Sequence, residues 1–270
     1  MRMTGATADV KGRPGRGPVL VSDFDGTMTR NDFYKLAVER LLPPDTPDHW
    51  AAYREGTLTH FEALRSYFAA IRASEDKVMV VVHAMELVLE LPAAVASLRR
   101  AGWSVVVASA GCDWYIRKLL AAAGLQVEVH ANPGRFHEGE GLVMEMPTGS
   151  PFWSATLGVD KAGIVRGYLE EGRTVGFAGD GFPDAEAARL VPAGLRFARA
   201  DLAEVLRSDA LPFQEFATWS DIAGALVPGD LTCFGRRKSR SRRWSGSRTG
   251  RWTASGPTSH GVTMARSPCS

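Results

Sequence analysis

The sequence predicts an α/β fold, a parallel sheet with helices on both faces and a helical insertion after the first strand. Three observations predict it. Short apolar runs of strand type (VLVS at 19–22, WSVVVAS at 103–109, RTVGFAG at 173–179) alternate with amphipathic helical stretches, and strands spaced by short helices imply parallel pairing. Glycines 102, 124 and 172 each close one of those stretches, as glycine does past a helix C-terminus. Between residues 31 and 91 the alternation stops and the patterns turn helical.

In chain order, Pro18 to Asp23 reads as a buried strand. The stretch from Asp32 (DFYKLAVERLL) is an amphipathic helix that stops at Pro43-Pro44. His60 to Ala73 is a second helix, with Thr59 as N-cap and Glu62 placed for a capping box. Lys77 to Leu91 supports two readings: its valine run suits a strand and its Met-Glu-Leu pattern a helix. Helices follow at 92–101, 113–123, 161–171, 184–190, 200–206 and 219–226, and strands at 103–109, 127–131, 173–179 and 195–198. A Gly/Pro-rich excursion from Asn132 to Phe152 holds a short hairpin around Glu138-Gly139.

At 270 residues the chain fits one domain plus an insert. Residues 1–17 read as a disordered leader, without the apolar core of a secretory signal. No run of about 18 apolar residues appears, so no membrane span is expected. Three scattered cysteines (Cys112, Cys233, Cys269) form neither a disulfide frame nor a zinc site, and a reducing cytoplasm is the expected location. Nine of the 32 Lys and Arg residues, and none of the 30 Asp and Glu, lie beyond Phe234. The preceding part therefore holds 23 basic against 30 acidic residues, a net of −7. An acidic body argues against nucleic acid as the main partner. Residues 231–270 read as a disordered basic tail: a contact for an anionic surface or nucleic acid, or a solvated or out-of-frame extension.

Chemistry collects at the C-terminal ends of the strands in a parallel α/β sheet. After the first strand come Asp23 and Asp25, which project the same way because residues alternate along a strand. Two such carboxylates repel unless a cation lies between them, and Mg²⁺ suits an oxygen donor set. Taken alone, the segment also reads as a strand ending in an Asx-type turn. After the next strands come Ser109-Ala110-Gly111, then Lys161 at a helix start, then Asp180-Gly-Phe-Pro-Asp184, all on one edge.

In this order, Asp-x-Asp-Gly-Thr, a strand-closing Ser, a Lys and Gly-Asp-x-x-x-Asp resemble the haloacid dehalogenase superfamily of phosphohydrolases, over residues 18–227. The resemblance implies a Rossmann-like core (18–30 and 92–230) with a helical cap (31–91). It implies Asp23 as nucleophile, forming an aspartyl-phosphate, and Asp25 as general acid and base. It implies Mg²⁺ held by the Asp23 side chain, the Asp25 backbone carbonyl and Asp180, with Asp184 in support. Phosphate oxygens would be held by Ser109, the Ala110 N–H and the N–H groups up to Thr27, and Lys161 would offset the negative charge. The substrate is then a small phosphorylated metabolite, and the protein a monomer or homodimer.

Segments at residues 25–32, 179–188, 195–202 and 211–216 further resemble the methionine-salvage phosphatase of 2-hydroxy-3-keto-5-methylthiopentenyl-1-phosphate. The stretch around Arg65 resembles phosphoserine phosphatase, and phosphoryl transfer to another acceptor is a third enzymatic reading. A non-catalytic binding protein working through its basic tail is a reading of another class, against which the clustered acids argue. Asp32 and Arg65 either grip a polar substrate tail or are solvated helix charges. Phe33, Phe61 and Phe68 read as cap core, His130 and His137 as ordinary loop histidines, and Cys112 as a buried inert thiol.

Overall fold

The structure, a computed structural model, describes residues 17–227. Residues 1–16 of the leader expected at 1–17, and the basic tail expected from 231, lie outside the described residues. β1 (Val19–Ser22) is followed by four helices: α1 (Phe33–Arg40), α2 (His49–Arg54), α3 (His60–Ala69) and α4 (Glu75–His83). The chain then runs α5 (Leu91–Arg100), β2 (Ser104–Cys112), α6 (Asp113–Ala122) and β3 (Glu128–Asn132). A hairpin of β4 (Gly134–His137) and β5 (Gly141–Met144) leads to a short ribbon, β6 (Trp153–Ser154) and β7 (Gly158–Val159). The last part is α7 (Lys161–Glu170), β8 (Val175–Gly179), a 3₁₀ turn (Phe182–Asp184), α8 (Ala185–Arg189), β9 (Arg196–Ala198), α9 (Ala200–Ser208), β10 (Gln214–Glu215) and α10 (Trp219–Leu226).

Six strands form one parallel sheet in the order β10-β9-β8-β1-β2-β3. The α/β fold expected from the alternation is therefore present. β1 is central: Val19 pairs with Ser104 on one side and Val175 on the other. All four of its residues are buried, which is why its sequence is a continuous rather than alternating apolar run. From β1 the chain builds outward through β2 and β3, then returns to the other side of β1 through β8 and β9. That reversal opens a crevice at the carboxyl ends of β1, β2 and β8, where ligands bind in such sheets. One face packs Val21, Val106 and Phe177 against Ile164, Val165, Leu202 and Leu206. On α10, Trp219 is fully buried and its indole N–H donates to Ser22 Oγ at 3.0 Å.

The insertion is joined to the sheet by a hydrogen-bonded neck. Thr29 bridges Leu87, Val88 N–H donates to Met28 O, and Arg30 and Asn31 N–H donate to Met85 O. The expected capping box of α3 is present: Thr59 N–H donates to Glu62 Oε2 (2.8 Å) and Glu62 N–H to Thr59 Oγ1 (3.2 Å). The ambiguous valine run is helical as α4. Val78, Val81 and Val82 are buried while Val80 is 69% exposed, a helical stripe whose tertiary packing overrides strand propensity.

α3 ends at Ala69, four residues before the expected end. The 103–109 strand runs on to Cys112, with an irregularity in its pairing to β3 after Ala108. The hairpin turns where Glu138-Gly139 was read. α2, the β6–β7 ribbon and β10 were not anticipated, being too short to carry a period. Among the described residues no helix is long and apolar enough to cross a membrane.

Candidate active site

β1 ends at the crevice, and the turn after it sets the first two acids. Ser22 Oγ donates to Asp23 O at 2.8 Å. Gly26 has φ +70°, and a Cβ there would lie 2.3 Å from Asp180 Oδ2. Only glycine meets both conditions without displacing Asp180. Thr29 Oγ1 accepts from Gly26 N–H (3.1 Å) and closes the turn. Thr27 is buried and donates to Asp180 Oδ1 at 3.0 Å, joining the first motif to the fourth.

α7 begins with Lys161, its start set by Asp160, which accepts from Gly163 N–H at 2.8 Å. The buried Lys161 Nζ lies 2.6 Å from Asp23 Oδ1 and 2.6 Å from Asp184 Oδ1. Asp184 is oriented by its other oxygen, which accepts from the N–H groups of Asp180 and Gly181, each at 3.0 Å. Burial works against the Lys161 ammonium, but Asp184 and Asp23 outweigh it and hold the pKa above the ordinary lysine value. Burial pushes Asp23 well above the usual carboxylate range, with Lys161 opposing. Asp180 is raised by burial and then by Asp184.

The carboxylates of Asp23, Asp180 and Asp184 offer oxygens all within 4.8 Å of one another. Three carboxylates against one ammonium leave excess negative charge, and an all-oxygen donor set suits a hard divalent cation such as Mg²⁺. The residues present fit that ion. Asp25's side chain points elsewhere. Its carboxylate accepts from Phe33 N–H (3.2 Å), from the Tyr115 hydroxyl (2.9 Å to Oδ2) and from Ser109 Oγ (3.3 Å). Burial lifts its pKa to about 6, against the pull of the Phe33 and Tyr115 hydrogen bonds.

Ser109 and Ala110 sit in the irregular end of β2. Ser109 Oγ accepts from Gly111 N–H (2.9 Å), and Ala110 O accepts from Asn132 Nδ2 (2.7 Å). A Cβ at Gly111 would lie 2.0 Å from the Tyr115 oxygen, so this glycine makes room for the Tyr115–Asp25 contact.

A cavity of about 730 Å³ joins these groups to the insertion. The structure brings Asp23, Asp25, Ser109, Ala110, Lys161, Asp180, Asp184 and Asp32 together along it, with Thr27 buried behind Asp180. Asp32 caps α1 by accepting from Tyr34 N–H (2.9 Å). Burial, then Asp25, push its pKa up to about 8. Arg65 is not brought in. It is exposed on α3, its guanidinium 5.6 Å from the Phe61 ring and outside the cavity lining, because its helix turns that face to solvent.

Phe33, Phe61 and Phe68 are buried, and Phe68 also lines the cavity. His130 pairs with Glu128 at 2.7 Å, and His137 accepts from Arg135 Nε. Cys112 is fully buried, its thiol pushed up to about 12 by burial. Tyr115, Asn132, Lys35, Trp50, Tyr53 and His60 were missed by sequence reasoning. Their contribution depends on helices and loops folding over the sheet edge, and none carries a motif of its own.

Residues 20–189 match the haloacid dehalogenase-like hydrolases. With this match and this site, the chain belongs to that family. It is 27% identical over 216 residues to a 2-hydroxy-3-keto-5-methylthiopentenyl-1-phosphate phosphatase of Brevibacillus brevis, covering 77% of this chain and 94% of that one. It is 24% identical over 212 residues to the protein of the same name from Bacillus pumilus (76% and 89%). Among solved structures it is similar to a haloacid dehalogenase family hydrolase of Salmonella enterica serovar Typhi (TM-score 0.61, 16% identity, 80% and 72% covered). It is also similar to a substrate-bound phosphoserine phosphatase (TM-score 0.57, 18% identity, 77% and 97% covered).

Proposed function

We propose that this chain is a Mg²⁺-dependent phosphoric monoester hydrolase. It acts through an aspartyl-phosphate on a small metabolite phosphate, 2-hydroxy-3-keto-5-methylthiopentenyl-1-phosphate first among them. The observation that carries the reading is the buried Lys161 ammonium shared between Asp23 and Asp184, where β1 and β8 end. A buried ion pair is a poor stabiliser compared with apolar packing, so three acids and a lysine gathered at a crevice point to chemistry. The substrate rests on the two relatives' names and on the resemblance that residues 195–202 and 211–216 carry in the sequence.

In the first step an Asp23 carboxylate oxygen attacks phosphorus, and the ester oxygen leaves with a proton from Asp25. In the second, Asp25, now a carboxylate, takes a proton from water. That water attacks phosphorus, releases phosphate and restores Asp23. Ser109 and the Ala110 N–H hold the phosphoryl oxygens, and Lys161 keeps Asp23 and the phosphoryl group from repelling. Mg²⁺, held by Asp23 and Asp180 with the Asp25 carbonyl and Asp184 in support, would supply charge neutralisation at the transferring group. Residues 31–91 act as a cap over the site, and the enzyme works in the cytoplasm.

The test is phosphate release by the full chain from a metabolite-phosphate panel, with Mg²⁺ or EDTA. The ketose phosphate should exceed phosphoserine, EDTA should abolish release, and Asp23→Asn should do the same. Equal slow rates on every substrate would remove the substrate assignment. An active Asp23→Asn variant would remove the mechanism.

A further inference from the structure

We propose that Asn132 is a positioning residue: it holds the Ser109–Gly111 segment of β2 in the shape that cradles a phosphoryl group. The inference rests on the phosphatase reading above and gives a part in it to a residue outside the four motifs.

β2 and β3 pair in register as far as Ala108 and His130, and pairing resumes at Cys112 and Asn132. Ser109, Ala110 and Gly111 therefore stand against one residue of β3, Ala131. A bulge of this kind interrupts the ladder, bends the strand and re-aims its side chains. Its backbone groups then need partners from elsewhere. Asn132 supplies one: its amide Nδ2 donates to Ala110 O at 2.7 Å, in a buried contact.

That contact reaches the Ser109 hydroxyl through a single peptide plane. Ala110 C=O and Gly111 N–H belong to the same rigid unit and point in opposite directions. Gly111 N–H donates to Ser109 Oγ at 2.9 Å, and Ser109 Oγ donates to Asp25 Oδ2 at 3.3 Å. An amide that grips the carbonyl on one side sets the N–H on the other, and with it the serine oxygen. Asn132 itself is fully buried and lies behind the cavity lining, so it acts only through that segment.

The seat of Asn132 is fixed on both sides. Two residues on, Gly134 N–H donates to Asp113 Oδ1 at 3.0 Å, which ties the end of β3 to the start of α6. Opposite is Gly158 of β7, with φ +80°, where a Cβ would lie 2.1 Å from Asn132 Oδ1. The chain runs on from Gly158 to Lys161 at the start of α7. Asn132 thus stands between the bulge that carries Ser109 and the segment that carries Lys161.

Asn132 Oδ1 is buried and has no hydrogen-bond partner among the described residues. An unmatched buried acceptor costs stability, and an apolar side chain of similar shape would avoid that cost. Such a side chain could not donate to Ala110 O. The donor half of the amide is what accounts for an asparagine here.

The test uses the full chain with Mg²⁺ and compares wild type with N132L, N132D, S109A and S109A/N132L. Leu keeps the branching of Asn without a donor, and Asp keeps its shape but as a carboxylate cannot donate. Calorimetric titration reads the Kd for inorganic phosphate. kcat and KM are measured with the ester that wild type hydrolyses fastest, and stability by urea unfolding. N132L and N132D should bind phosphate about tenfold more weakly, the worth of one misplaced hydrogen bond. Their kcat/KM should fall by on the order of a hundredfold, as when one donor to a developing oxyanion is lost. S109A/N132L should lose at most about threefold more than S109A, because residues acting in one network are not additive.

A purely structural role would lower the active fraction, and so kcat, while leaving the phosphate Kd and KM unchanged. That outcome in N132L and N132D overturns the inference, as do independent, multiplying losses in S109A/N132L. N132D decides where N132L is too poorly folded to assay. A wild type that neither binds phosphate nor hydrolyses any ester overturns the phosphatase reading, and this inference with it. A working wild type whose Asn132 variants keep its Kd and KM overturns this inference alone.

Discussion

Lys161 Nζ lies 2.6 Å from Asp23 Oδ1, with both side chains almost wholly removed from solvent. The pair is fixed from the far side by Asp184, which in turn is held by the N–H groups of Asp180 and Gly181. Lys161→Met should therefore fail in two ways. It leaves Asp23 and Asp184 buried with no counter-charge, a loss of about 3–5 kcal/mol in stability. In the proposed mechanism it also removes the charge that steadies the phosphoryl group, a rate loss on the order of 10²–10³. Urea unfolding and phosphate release measure the two separately, and a stable but inactive variant would confine Lys161 to catalysis.

Tyr115 donates to Asp25 at 2.9 Å and stabilises its carboxylate form. Removing the hydroxyl in Tyr115→Phe should raise the Asp25 pKa further above its value of about 6. The proposed first step needs Asp25 protonated, so the alkaline fall in kcat/KM should move to higher pH, by on the order of one unit. A pH profile of the variant beside wild type checks this. An unmoved limb would make Tyr115 only a packing residue beside Phe33 and Phe68.

Why was so much of the catalytic edge legible in the sequence, and so little of the cavity's other wall? Asp23, Asp25 and Asp180 follow strand ends, Ser109 lies in the last part of β2 and Lys161 opens a helix, and the parallel β/α order brings them to one edge. The glycine turn after Asp25 was legible too, but that a Cβ at Gly26 or Gly111 would strike Asp180 or Tyr115 is visible only in the fold. The insertion carries no such rule. Its helices are amphipathic whichever way they are rotated, so the sequence offered Arg65 as a candidate and passed over Trp50 and His60. Which face of α3 meets the crevice is decided by long-range contacts such as Phe61 N–H to Thr156 O. The stretch 77–91 shows the same limit: its valines suit a strand and Met85 to Glu90 a helix, and packing of Val78, Val81 and Val82 makes the valine run the helix, which ends at His83.

Several acids near the crevice have raised pKa values, and this sets a pH trend for the metal-free protein. Asp25 titrates at about 6 in the fold against an ordinary carboxylate when unfolded, and Asp32 at about 8. An acid with a raised folded pKa favours the fold in its protonated form. Stability is then highest below the unfolded value near 4 and falls as pH rises through the folded values, between about 4 and 8. His60 opposes this in part. Its pKa is lowered to about 4, first by burial and then by Lys161. Stability from that group therefore rises between pH 4 and 6.5. Four raised acids outnumber it, counting Asp23 and Asp180. In EDTA the protein should unfold more easily at pH 8 than at pH 5, by a few kcal/mol, and Mg²⁺ at pH 8 should restore the loss. Thermal unfolding at both pH values, with and without Mg²⁺, tests it. Greater stability at pH 8 in EDTA would contradict the clustered-acid account.

Gly26 offers the most local test of the metal assignment. Its φ of +70° is strained for any residue with a Cβ, and that Cβ would lie 2.3 Å from Asp180 Oδ2. Gly26→Ala costs the fold about 1–2 kcal/mol through the left-handed backbone. It also pushes the Asp180 carboxylate off Thr27, its hydrogen-bond donor at 3.0 Å. Asp23 and Lys161 are untouched by that displacement. The variant should therefore need more Mg²⁺, on the order of tenfold or above for half-maximal activity, while keeping much of its rate at saturating metal. Calorimetric titration with Mg²⁺ reads the same change without turnover. Unaltered Mg²⁺ affinity with a displaced Asp180 would show that Asp180 does not hold the ion, and would leave Asp23 and Asp184 as its carboxylate ligands.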